Sequence, residues 1–86
     1  PVRYILPVPG RSQRLCVVTA QGSIYRLAAE GENWRLQGQE ALPHGMEPQE
    51  MALVTRSQAS PLLLAITRDG VLMSDDYGAN WTLAAQ

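Results

Sequence analysis

Several residue types are missing or nearly missing from this chain of 86 residues: it has no lysine, no phenylalanine, one cysteine and one histidine. Without lysine there is no phosphate-binding Walker loop, which requires one. A lone Cys16 excludes an internal disulfide and a cysteine-based zinc cluster. The seven basic residues are balanced by eight acids, giving a net charge of -1, and they form no block that could follow a phosphate backbone. A nucleic-acid partner is therefore not expected.

Long apolar runs are also missing, although 45% of the residues are hydrophobic. No stretch approaches the roughly 18 residues that a membrane-spanning helix needs. The first residues lack the basic-then-apolar order of a signal peptide. We expect a chain without membrane insertion, and the sequence leaves its compartment open.

Short β-type runs make up most of the chain and predict an all-β fold, because apolar positions do not recur at helical spacing over a useful length. The runs fall into two sets of four, separated by a segment rich in proline and glycine. We expect a first unit at 1–40, a linker at 41–49 and a second unit at 50–86. The predicted strands lie near 3–7, 14–19, 23–28 and 33–37, and then near 50–55, 61–67, 71–74 and 80–84.

The two units show an internal repeat. Trp34 and Trp81 lie 47 positions apart, as do Gly31 and Gly78. A period of about 47 residues with four strands per unit is typical of a β-propeller blade. The sequence therefore predicts two four-stranded antiparallel blades.

The second unit contains a run that fits the pattern Ser-x-Asp-x-Gly-x-x-Trp at all four fixed positions, Ser74, Asp76, Gly78 and Trp81. A carboxylate two residues before a glycine can accept hydrogen bonds from the backbone of its own turn, while glycine permits positive φ. The indole can then fold over the hairpin with its N–H on a carbonyl, and the serine can end the incoming strand with a local hydrogen bond.

This run at 74–81 resembles the Asp-box, the repeat of bacterial neuraminidases. The resemblance implies a β-propeller in which the box lies between the third and fourth strands of a blade, at the periphery. It implies a structural role for the four box residues rather than ligand binding. In the first unit, 27–34 keeps Gly31 and Trp34 but has Leu27 and Ala29 in place of serine and aspartate, so it is interpreted as a degenerate copy.

The sequence offers little for catalysis. His44, between Pro43 and Gly45, has no partner that the sequence identifies. The resemblance to the Asp-box suggests a comparison with sialidases, whose activity needs three arginines, a tyrosine paired with a glutamate and an acid/base aspartate from several blades. The run Arg3–Pro7 differs from the Arg-Ile-Pro motif of those enzymes by two inserted residues. We expect no catalytic residue, no cofactor and no metal site.

Four arginines, Arg3, Arg26, Arg56 and Arg68, have two readings. They could project together from neighbouring strands and hold an acidic partner through their forked guanidinium groups. The interpretation we favour is that they are solvated strand residues whose stems cover apolar neighbours.

Two blades leave apolar faces uncovered, since repeat units usually need about three or more copies for stability. The run Leu62–Ile66 is apolar on both sides of its strand. We expect the remaining blades of a longer propeller, a homo-oligomer or a partner protein to cover these faces, the first being favoured. The leading hypothesis is a non-catalytic binding or assembly scaffold. The alternatives are a fragment of a sialidase-type glycoside hydrolase, or a carbohydrate-binding ring of several copies with Trp34 and Trp81 as stacking platforms.

Overall fold

The computed structural model describes residues 1–9 and 13–85, which form eight strands and one 3₁₀ turn. Residues 10–12 and 86 belong to the two predicted units and lie outside the described residues. Within the described part, no helix has the length and hydropathy needed to cross a membrane. The strands are β1 Val2–Val8, β2 Arg14–Thr19, β3 Ser23–Glu30, β4 Asn33–Ala41, β5 Pro48–Val54, β6 Leu62–Thr67, β7 Gly70–Ser74 and β8 Thr82–Ala85, with the 3₁₀ turn at Pro43–Gly45.

The prediction of an all-β chain with two four-stranded antiparallel sheets is confirmed. The strand orders are β1-β2-β3-β4 and β5-β6-β7-β8, so each sheet is a simple meander in which every strand pairs with the next one in sequence. Such connections need only short hairpins, which the turn residues of each unit provide.

The connection between the sheets is shorter than predicted, because β4 continues to Ala41 and β5 begins at Pro48. Proline is tolerated as the first residue of a strand, where its missing N–H removes little of the ladder. Leu42 is buried, and its N–H donates to the carbonyl of Gly22 at 2.9 Å. His44 and Gly45 turn the chain with φ of 57° and 66°. The connection is thereby attached to the first sheet.

The core lies between the two sheets. On β2, β6 and β7 the buried residues alternate with more exposed ones, so one face of each sheet is covered. The largest core cluster contains Val18 and Ile24 from the first sheet together with Met51, Ala65 and Leu72 from the second. The described residues extend only 17 Å along their shortest axis. These observations describe two packed layers of sheet, each with one face turned away from the other.

Candidate functional site

The loop at 75–81 joins β7 to β8, the third and fourth strands of the second sheet. Regular pairing stops at Met73 and Thr82. Side chains then take over the hydrogen bonding of the backbone, and they do so at the positions that the sequence pattern singles out.

Ser74 ends β7 and is 2% exposed. Its hydroxyl donates to Asp76 Oδ1 at 2.7 Å and accepts from the N–H of Gly78 at 2.9 Å. A buried hydroxyl with both a donor and an acceptor role satisfied carries little desolvation penalty. The serine therefore closes the start of the loop from inside.

Asp76 holds the far side of the loop. Its Oδ1 accepts from the N–H of Asn80 at 2.9 Å, and its Oδ2 accepts from the side-chain amide of Asn80 at 2.7 Å. Burial by itself would raise the pKa of this carboxyl, but the hydrogen bonds from Asn80 and Ser74 outweigh it and hold the pKa below its usual range. The ionised form of Asp76 is the form that fits the loop.

Trp81 follows the loop directly. Its indole N–H donates to the carbonyl of Gly78 at 2.9 Å, and its ring packs against the hydrophobic clusters between the sheets. The indole N–H is thus hydrogen-bonded within the protein, and much of the ring surface is in contact with apolar side chains.

The loop also contacts the first sheet, which the sequence did not predict. The carbonyl of Tyr77 accepts from the thiol of Cys16 on β2 at 3.1 Å, and the Tyr77 ring lies 4.4 Å beneath the guanidinium carbon of Arg14. Gly78 has φ of 94° and sits against the side chains of Ile24 and Cys16. The loop therefore joins the two sheets as well as closing its own hairpin.

Cys16 is buried and forms part of this contact. Burial raises the pKa of its thiol to about 11, while nearby Arg26 lowers it and Glu40 raises it. A thiol with such a pKa holds almost no thiolate at neutral pH and is a weak nucleophile. Cys16 therefore acts in this environment as a small buried residue of low reactivity.

The first unit places its tryptophan differently. Glu30 pairs with Asn33, so Gly31 and Glu32 form a tight hairpin and the ladder runs to its end. Trp34, on β4, pairs with Ala29 on β3, and its side chain is 48% exposed. Both tryptophans follow the turn between a third and a fourth strand, but only Trp81 folds back over its turn.

The four arginines that the sequence grouped do not converge. Arg26 forms a bidentate pair with Glu40, both contacts being 2.8 Å, and Arg56 donates to the carbonyl of Ser60. Arg3 and Arg68 line a groove with exposed His44, whereas Arg26 lines a different groove on the first sheet. The four therefore do not share one groove, and the contacts of Arg26 and Arg56 give no support to a joint hold on one partner.

No set of three His, Cys, Asp or Glu residues in the described ranges 1–9 and 13–85 is arranged to hold a metal ion. Comparison with known proteins gives no family: no family model, curated protein or solved structure matches the chain. The geometry of the loop and of the sheet surfaces carries the functional argument.

Proposed function

We propose that this chain is a non-catalytic binding or assembly module of the β-propeller type, in which each sheet is a blade and the outward faces receive further sheets. The observation that carries the proposal is the apolar character of both outward faces. Large exposed apolar surfaces on a soluble domain usually mark sites of interaction with another molecule.

On the first sheet, the outward face consists of cross-strand rows with few polar groups. One row joins Ile5, Val17 and Tyr25, and the next joins Pro7, Leu15, Leu27 and Leu36. Ile5 is 59% exposed and Leu36 is 53% exposed. Neither row contains a charged residue: the first ends on β4 at Gln39 and the second at Leu36.

The outward face of the second sheet is also mainly apolar, with Glu50 on the edge strand β5 at the end of one row. Ala52, Leu64 and Met73 form one row, with Ile66 and Val71 beside it. Ile66 is 36% exposed, and Val54 near the end of the sheet is 42% exposed. A chain of this size buries little more than about 60% of the surface of its unfolded state, so leaving two such faces in water is costly.

A sheet is the occupant that best fits these faces. Twisted sheets with apolar faces pack on one another at a spacing of about 10 Å. The two sheets of this chain already pack face to face through apolar side chains. The succession of two four-stranded meanders, and the box-like loop between a third and a fourth strand, also support the propeller-type interpretation.

The experiment uses the isolated chain, in which only other copies are present to cover the outward faces. Light scattering and sedimentation velocity from about 10 µM to 1 mM should show reversible self-association, driven by burial of apolar area. Ile5→Glu and Ile66→Glu place a charge on either face and should reduce it. Ser57→Glu adds the same charge in an exposed turn and should leave it unchanged. A folded wild-type chain that stays monomeric throughout contradicts the proposal.

Among the alternatives, the carbohydrate-binding ring uses Trp34 and Trp81 as stacking platforms, but Trp81 packs between the sheets and does not present its ring to a ligand. Trp34 keeps an exposed face. No arrangement within the described residues favours the sialidase-type fragment over the scaffold.

A further inference from the structure

A groove of about 640 Å³ lies on the first sheet, where β2, β3 and β4 approach the Glu30–Asn33 hairpin. Among the described residues, three arginines line it, Arg14, Arg26 and Arg35, together with one acid, Glu30. Glu40 pairs with Arg26, so three arginines and two acids leave a net charge of +1 at this place. The chain as a whole has a net charge of -1, so the groove differs in sign from the rest of the molecule.

The strand register brings the arginines together. Arg14, Ala28 and Arg35 are partners in one row across three adjacent strands. Neighbouring strands lie about 4.8 Å apart, so the two arginines flank Ala28 on the same face of the sheet. Ala28, which is 8% exposed, lies between them at the floor of the groove. Arg26, two residues before Ala28, points to the same face.

The arginines differ in how strongly they are already engaged. Arg26 is held by Glu40 in a part-buried bidentate pair. Arg35 is 3.5 Å from Glu30, but the two side chains are 73% and 65% exposed, and an exposed pair of this kind contributes little. Arg14 has its guanidinium carbon 4.4 Å from the centroid of the Tyr77 ring, and such a cation–π contact does not use the N–H donors of the guanidinium.

Arg14 and Arg35 thus lie on either side of Ala28, and Arg26, whose charge is balanced by Glu40, lies in the next row of the same face. Two forked donors across a gap suit carboxylate groups, which accept paired N–H bonds. The groove is open along the sheet, and this shape suits an extended segment better than a compact small molecule.

Building on the proposed function, we infer that this groove binds an acidic, extended peptide segment of a partner protein, with Asp or Glu carboxylates held by Arg14 and Arg35. The apolar outward faces provide area for assembly, and this groove selects the partner by charge. Charge complementarity of this kind mainly sets specificity and the rate of association.

The probe is an acetylated octaglutamate peptide, titrated into ¹⁵N-labelled chain at about 20 mM salt. Amide and arginine Nε shifts should concentrate at Arg14, Ala28 and Arg35. Raising the salt to about 200 mM should weaken binding, since exposed charge pairs are screened. An octalysine peptide should not bind.

Matched variants test which arginines act. Arg35→Gln removes an exposed charge on an edge strand and should weaken binding by about fivefold, the scale of one exposed ion pair. Arg14→Gln should do at least as much, with the fold checked by its spectrum because Arg14 also contacts Tyr77. Arg56→Gln removes the same charge outside the groove and should leave the affinity within about twofold.

Three outcomes would overturn the inference: no octaglutamate binding at low salt, equal losses in Arg35→Gln and Arg56→Gln, or tighter binding of an octathymidylate through the same residues, which would make the groove a phosphate site. The self-association test uses Ile5 and Ile66, which do not line the groove, so the proposed function can fail or hold independently of this result.

Discussion

The turn between β3 and β4 and the loop between β7 and β8 share a Gly-x-x-Trp spacing but fold differently. In the first sheet the ladder runs to the end, where Glu30 pairs with Asn33. In the second sheet the ladder stops at Met73 and Thr82, and the side chains of Ser74 and Asp76 hold the loop instead. Glycine and tryptophan alone therefore do not determine the conformation of the loop at 75–81, in which Ser74 and Asp76 supply the hydrogen bonds.

The exposure of the two tryptophans follows from this difference. When strands continue into a tight hairpin, the residue after the turn alternates onto a face of the sheet, and for Trp34 that face is uncovered. When the loop is closed by its own side chains, the indole lies over it and reaches the interface between sheets. Two pairs of variants and two single variants test this comparison.

The largest difference is expected between the two tryptophan truncations. Trp81→Ala removes a ring that packs between the sheets and should lower the free energy of unfolding by about 3–5 kcal/mol. Trp34→Ala removes a half-exposed ring and should cost about 1 kcal/mol. Urea unfolding followed by circular dichroism measures both. Equal losses would show that the two indoles are held alike.

Asp76→Asn should lower the free energy of unfolding by about 2 kcal/mol at pH 7, because it weakens hydrogen bonds to a charged acceptor. The pKa of Asp76 is lowered in the folded chain, so its contribution is complete above the unfolded pKa of about 3.9 and is lost as the pH falls through the folded value. The gap between wild type and variant should therefore narrow from pH 7 towards pH 2.5. Other carboxyls titrate in both proteins and cancel in the difference. A gap that is independent of pH would contradict the role of the ionised carboxylate.

Alanine at the two turn glycines gives a smaller contrast. Gly78→Ala should cost about 2 kcal/mol, since φ of 94° lies beyond the left-handed region that L-residues tolerate, although its new Cβ would meet neighbours only at 3.5 Å and above. Gly31→Ala should cost about 1 kcal/mol, because φ is 62° and no atom lies within 4 Å. Thermal unfolding of both variants provides the measurement. A larger loss at Gly31 would reverse the comparison.

The smallest effect is expected from restoring the aspartate in the first unit. Ala29→Asp recreates the Asp-x-Gly spacing, but Asn33, which corresponds to Asn80, is already paired with Glu30 in the ladder. Its backbone N–H is therefore not placed to bind the new carboxylate as the N–H of Asn80 binds Asp76, and the free energy of unfolding should change by no more than about 0.5 kcal/mol. A clear gain in stability would mean that the turn can convert to the box conformation.

Much of the fold could be predicted from residue patterns. The spacing of Gly31 and Gly78 and of the two tryptophans indicated two successive units, and the eight strands lie close to the predicted positions. The linker was predicted too long, because Pro48 suggested a break whereas it starts β5. The contact of Cys16 with Tyr77 joins residues 61 positions apart, and no local signal indicated it. The groove of Arg14, Arg26 and Arg35 depends on the register of three strands, and the grouping of arginines made from sequence missed it.

The sequence by itself determined the meander order and the turn positions, because each strand pairs with the next one along the chain. It also determined the hydrogen bonds of the loop at 75–81, because the groups that form them are at most four residues apart and chain connectivity already holds them close. The tertiary structure decided which face of each sheet is covered, that Trp81 is packed while Trp34 is exposed, and that the loop rests on Cys16 and Arg14. Those outcomes depend on how two apolar sheet faces pack, and strand alternation alone leaves that choice open when both faces of a strand are apolar.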